Sequence, residues 1–186
     1  MSLMFNGIGV SRGVAIGNAY LLRRNQIDVT SRSLAKKDIA TEVRRFKRAL
    51  KAARAQLLTA RDNIPKDAPS DVSAFIETHI LMLDDGVLAQ RPIEIIKAEL
   101  INAEAALQQQ REELIKVFGS MEDTYLATRI DDVNHVIDSV LRALDDSAEP
   151  AEGPEHWKGQ IIVADDLTPA DTVSMQHHGV AGFITE

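Results

Sequence analysis

Apolar residues recur along this chain with two different periods, and the change of period divides it. Between Leu34 and Leu144 they fall at threes and fours, the spacing of a helix face. Ile39, Val43, Phe46, Leu50, Ala53 and Leu57 make one stripe of a helix of about 28 residues, ~42 Å long. Its other face carries Arg44, Arg45, Lys47, Arg48 and Lys51 and reads as solvated. Asn63-Ile64-Pro65 ends it. A second helix runs from Asp71 to about Asp84, with Phe75, Ile76, Ile80 and Leu83 toward a core. Leu81 and Met82 widen its apolar surface beyond one face, which requires a second surface to cover it, either a neighbouring helix or a partner. Asp84-Asp85-Gly86 breaks or kinks this helix, and Val87 to Leu100 continues as another helix interrupted near Pro92. Asn102 is placed to cap a third helix, Ala103 to Phe118. The fourth, Glu122 to Leu144, turns Tyr125, Leu126, Ile130, Val133, Ile137, Val140, Leu141 and Leu144 inward. Four long helices with short links predict an antiparallel bundle.

The two ends read differently. Phe5 to Leu22 alternates Ile8 and Val10 with small residues, turns at Ser11-Arg12-Gly13, and resumes through Val14-Ala15-Ile16 and Ala19-Tyr20-Leu21-Leu22. Gly7, Gly9, Gly13 and Gly17 do not have dinucleotide-loop spacing, so they read as turns and close strand packing. From Gly159 the pattern is strand, capped helix, strand. Ile161-Ile162-Val163 is followed by Thr168 at an N-cap, Pro169 at the first helical position and Asp171 at the third. Gly179 ends the helix before Val180 to Ile184. Two strands joined in this way should be parallel. Their carboxyl ends, where a ligand is expected on such a pair, bring Asp165–Thr168 together with Thr185 and Glu186. The stretch Asp145 to Lys158, with two prolines and a glycine, reads as a linker whose Trp157 folds back.

The architecture predicted is therefore α/β plus all-α: an incomplete α/β unit, residues 4–30 and 151–186, interrupted by a helical unit, residues 34–145. Met1-Ser2-Leu3, ahead of a second methionine, reads as an expression remnant.

Composition narrows the function classes. A formal net charge of -7 disfavours nucleic acid and suits a basic protein partner. Cysteine is absent, so disulfides and thiolate metal sites are excluded and a reducing cytoplasm is expected. No apolar run has spanning length, so no membrane insertion is expected. Of the five histidines, His177 and His178 sit where cations complement a helix C-terminus. His135 is expected on the polar side of the fourth helix, His156 in the linker, and His79 on the second helix as a packed or docking residue. Asp165-Asp166 reads as turn chemistry rather than a magnesium site.

Four stretches carry a family resemblance: GIGVSRGVAIGNAYLL, FIETHILMLDD, EDTYLATRIDDV and IIVADDLTPADT…GVAGFITE. Together they resemble the amino-terminal half of enzyme I, the phosphoenolpyruvate-protein phosphotransferase of the bacterial sugar-uptake phosphotransferase system. The resemblance implies a swivelling phosphohistidine-type α/β subdomain and a four-helix subdomain that docks the phosphocarrier HPr. It also implies a separate carboxy-terminal barrel that binds phosphoenolpyruvate with magnesium and makes the homodimer. In the family the active histidine stands in a Gly-Gly-x-Thr-Ser-His motif that follows the GFIT[DE] stretch. That motif does not occur among these 186 residues, and its histidine is expected beyond Glu186. The chain is therefore expected to hold no catalytic residue and no cofactor, and to retain docking alone. The docking residues implied are Ala74, Phe75, Thr78, His79, Met82 and Asp85, with Phe118, Met121, Leu126 and Arg129. Thr172 matches a threonine beside the phosphorylated histidine. The nitrogen-related paralogue of enzyme I fits the same stretches, and a non-catalytic helical interaction module remains the reading from a different class.

Overall fold

The computed structural model describes residues 4, 6–22, 29–119, 124–145 and 154–186. Its helical block begins with a 3-10 turn, Lys36–Asp38, leading into α1, Ile39–Asp62. α1 has 24 residues, shorter than the period suggested, because the first turn is wound tightly rather than as α-helix. α2 (Ser70–Asp84), α3 (Gly86–Ala89) and α4 (Arg91–Glu99) follow, with breaks where the sequence placed them, at Asp85 and just before Pro92. The breaks have identifiable causes. Asp85 is extended and its carboxylate accepts from Val87 N–H at 2.7 Å, so it caps α3. Pro92 sits in the first turn of α4, where its missing N–H costs nothing. Leu100 then adopts a left-handed conformation, φ 57°, to end α4. α5 (Ala103–Gly119) and α6 (Thr124–Leu144) complete the block.

These helices share one core. Phe46, Ile76, Ile96, Leu107, Ile137, Leu141 and Leu144 are its large, fully buried members. The positions expected inward on α6 are found there from Val133 to Leu144, joined by Val136. Tyr125 and Leu126 have side chains outside those described.

Three polar residues tie the helical block together, and two of them, Asn102 and Arg45, depart from the sequence reading. Glu42 is buried, and its carboxylate accepts the Ala103 N–H at 2.8 Å, closing the first turn of α5 from another helix. Asn102, expected as that cap, instead accepts the Arg32 N–H on its amide oxygen and donates its NH2 to the Thr30 carbonyl and Glu104. Arg45, expected in solvent, is half-buried. It binds Glu42 at 2.9 Å, the Leu144 carbonyl at 2.6 Å, and Glu104. The bond to Glu104 is the main reason that the Arg45 guanidinium is held charged more firmly than usual, against the cost of its burial. At Glu104, burial pushes the carboxyl up. The bonds from Arg45, its own backbone N–H and Asn102, with the Arg45 charge, outweigh that and leave it below the ordinary value.

The rest of the chain forms a three-stranded parallel sheet in the order β1 (Ala19–Leu21), β2 (Ile161–Val163), β3 (Gly182–Ile184). In register, Ala19 faces Ile161, which faces Gly182. Between β2 and β3 lies α7, Pro169–His177. Its expected capping box is present: Thr168 accepts from Asp171 N–H and Asp171 accepts from Thr168 N–H. Gly179, at φ 70°, closes it, with Val180 N–H reaching the Met175 carbonyl and Gly179 N–H that of Gln176. Trp157 does fold back, ending a 3-10 turn with its ring edge-on to His178.

The expected strands before Asn18 are not found. Residues 6–18 have no strand pairing, and Ile8 and Ile16 are 94% and 91% exposed. Among the described residues, this segment pairs with neither edge strand of the sheet, β1 or β3. Gly17 does meet the expectation of close packing: a Cβ there would lie 2.4 Å from the Gly159 carbonyl oxygen.

Candidate docking surface and the cleft beside it

α2 positions most of the candidate residues. Ala74, Thr78, Leu81 and Asp85 recur at fours and threes, so they share one face. The opposite face carries Ile76, Ile80 and Leu83 into the core. Ala74 and Asp85 are exposed, and Thr78 is half-exposed with its hydroxyl turned back to the Ala74 carbonyl at 2.8 Å. Leu81 stands 70% exposed in the middle of this face. It was visible in the sequence only as surplus apolar surface, and its phase with Ala74 and Thr78 was the signal that could have placed it. Glu77, Asp84 and Asp85 supply acidic groups along the same exposed side. Phe75 and Met82 flank it, half-buried and packed on the core.

His79 departs from this surface. It is 3% exposed, its ring 4.0 Å from that of Phe75, and its Nε2 lies 3.5 Å from Asp132 on α6. A helix position four residues from a half-buried phenylalanine and three from a buried isoleucine falls on the inner side, which the motif alone did not reveal. Phe118 is half-buried at the end of α5 and packs on the core. Met121 lies outside the described residues, as do the side chains of Leu126 and Arg129. Exposed apolar residues also occur near the end of α5, at Ile115 and Val117.

Behind His79 opens a cleft of about 640 Å³ between α1, α6 and α7. His79, His135, His177 and His178 line it, with Trp157 and Ser174. His135 is half-buried rather than on a fully polar side, and its Nε2 lies 2.9 Å from Asp166. His178 Nδ1 is 2.7 Å from the Ser174 carbonyl, a helix-end contact of the expected type. His156 is exposed on its 3-10 turn. Asp166 does turn chemistry, accepting Leu167 N–H at 2.8 Å. Thr172 lines a different hollow, together with Val10–Ala15, Val72 and Phe183, and its hydroxyl donates to the Pro169 carbonyl.

The carboxyl end of the sheet is assembled as parallel pairing requires. Ala164 N–H donates to the Ile184 carbonyl at 3.0 Å, which sets the Asp165–Thr168 turn beside Thr185 and Glu186. Thr185 and Glu186 are both exposed, and no histidine of the chain stands on that segment.

Residues 6–129 match the family described as PEP-utilising enzyme, N-terminal. The chain belongs to that family. Among relatives in the wider PEP-utilising group, the phosphoenolpyruvate-protein phosphotransferase of Cupriavidus necator is 38% identical over 194 residues, covering 100% of this chain and 33% of that protein. The protein of the same name from Listeria innocua is 35% identical, with coverage of 100% and 32%. The chain thus spans about a third of the length of these curated relatives. A solution structure of the enzyme I protein nEIt superposes with a TM-score of 0.77 at 25% identity, over 98% of this chain and 73% of that one. The N-terminal domain of nitrogen enzyme 1 shares the fold, with a TM-score of 0.70 at 23% identity over 93% and 70%. The fold expected from the sequence, a helical bundle with an α/β part, is the fold of these neighbours. Among the described residues, no helix of this chain is long and apolar enough to cross a membrane.

Proposed function

We propose that this chain is the phosphocarrier-docking part of a longer phosphoenolpyruvate-protein phosphotransferase. In that reading it has two units, residues 34–145 for docking and residues 4–30 with 151–186 as the phosphohistidine frame. The observation that carries the docking role is Leu81, an exposed leucine centred on a face whose rim is acidic. An apolar centre with charged surroundings is how small protein interfaces gain both affinity and orientation. The partner this face suits is HPr, met through a basic, apolar-centred patch. The longer protein would take phosphate from phosphoenolpyruvate in a magnesium-bearing barrel, onto a histidine beyond Glu186, and would dimerise through that barrel. The setting is cytoplasmic sugar uptake. A sensory domain encoded ahead of this region would instead favour the nitrogen-related paralogue.

Titrating HPr into the 15N-labelled chain tests this directly. Resonances of α2 should shift, and Leu81→Asp should weaken binding by about 2–4 kcal/mol in calorimetry, as truncation at an interface centre does. Met82→Asp should weaken it too, but its half-buried position adds a folding cost, so Leu81→Asp is the cleaner variant. Unshifted α2 resonances would favour the interaction module unrelated to HPr. Radiolabel from phosphoenolpyruvate appearing on any of the five histidines, with a barrel domain supplied, would overturn the assignment of the acceptor to a segment beyond Glu186.

A further inference from the structure

We propose that His135 and Asp166 form a proton-dependent latch, holding the turn between β2 and α7 against the helical block. The contact runs from α6 to that turn, with Nε2 and Oδ2 separated by 2.9 Å. Asp166 is aimed by its other oxygen, which accepts Leu167 N–H. The turn leads at once into the Thr168–Asp171 capping box, so where it is held sets where α7 begins. α7 also rests on an apolar contact that carries no titratable group, Ala170 against the bundle core.

An imidazole ordinarily changes charge near neutral pH. When His135 is an imidazolium, the contact joins two opposite charges and Coulomb attraction adds to the hydrogen bond. When it is neutral, only the hydrogen bond to a largely solvated carboxylate remains. The ring's Nδ1 is buried with no hydrogen-bond partner among the described residues, so Nε2 is the atom through which the ring is held. Attraction between an imidazolium and the carboxylate is greatest with the seam closed.

Every neighbouring element contributes to the field at this ring. α2 brings His79, with ring centroids 6.3 Å apart. α6 itself brings Asp132 and Arg142, and α5 brings Arg111, which is bound to Asp138. The turn adds exposed Asp165 beside Asp166, and α7 adds Asp171, His177 and His178. α1 presents Gln56 and Asn63 to the cleft and no charged side chain. Among the described residues, Asp171 and Arg142 are the one carboxylate and the one permanent cation lining the cleft, so the paired Asp166 is the carboxylate that a proton on His135 meets directly. The latch holds whether or not a phosphocarrier docks on α2.

The chain has no cysteine, so labels can be placed at will. Spin labels at Glu112→Cys on α5 and Gln176→Cys on α7 report the separation of the two parts. A single narrow distance is expected at pH 6, with a second, longer population by pH 8.5. Asp166→Asn should give the same broadened distribution at both pH values, and His135→Lys, which fixes the positive charge, the narrow one at both. A wild-type distribution unchanged between the two pH values overturns the latch, as does Asp166→Asn retaining the wild-type response. Should Asp166→Asn fail to fold by circular dichroism, a pH response surviving in His135→Lys overturns it instead.

Discussion

The helical block and the amino-terminal segment carry similarly apolar sequences, yet one is closed and the other open. Phe46 and Ile76 have no exposed surface at all, whereas Ile8 and Ile16 are almost wholly in solvent. A helix satisfies its backbone within the segment, so an apolar stripe needs only some other apolar stripe to pack on. A strand must also be held in a ladder, and among the described residues the 6–18 segment pairs with neither edge of the sheet. The same hydrophobic residue therefore stabilises the molecule in one region and contributes little in the other.

Substitutions should expose that contrast most strongly at its extremes. Phe46→Ala should cost about 3–5 kcal/mol in urea denaturation, a large-to-small change in a packed core. Ile16→Ala should fall within about 0.5 kcal/mol of wild type. Equal effects would mean that residues 6–18 are packed in solution.

Next in size is the charged tie inside the closed region. Arg45→Met leaves Glu42 and Glu104 without their cation and the Leu144 carbonyl without its donor, at about 2–3 kcal/mol for a half-buried network. This network also fixes a pH dependence. Glu104 is held below the ordinary carboxyl value, so its stabilisation is complete above the unfolded-state value near 4.5 and is lost as pH falls through the lower folded-state value. Glu104→Gln should therefore flatten the acid limb of a pH–stability profile. An unchanged acid limb would show that other carboxylates govern it.

Gly17→Ala tests the one tight point of the open region. Its Cβ would meet the Gly159 carbonyl, so β1 and β2 must part, at about 1–2 kcal/mol. Amide exchange at Ile161, which donates to the Asn18 carbonyl, should rise while the bundle amides stay protected. The smallest effect expected is at α7: Thr168→Ala removes its cap at about 1 kcal/mol, and the loss should be confined to exchange of the first-turn amides.

What was legible in the sequence follows the same line. The α1 and α6 stripes, the capping box at Thr168 and the glycine at 179 were readable because each depends on neighbours within a turn or two. Arg45 was not, since the Glu104 and Leu144 that bind it lie on other helices. Its place in a run of basic residues suggested solvent. Among the site candidates, Ala74, Thr78 and Asp85 are found on an exposed face, but His79 lies beneath it. Motif membership does not report helical phase. The strands expected around Val10 and Ile16 failed for a further reason: alternation shows that a segment can pair, and pairing needs a partner.

The register of the sheet has a consequence in time. Ala19 pairs with Ile161, so every residue of the bundle is made between the two halves of that pairing. A flexible loop of that length would close slowly, whereas a folded bundle that brings its ends together converts the closure into a short local step. During synthesis β1 must then wait, unpaired, until the whole bundle and β2 have left the ribosome. The sheet is assembled last although its first strand is made first.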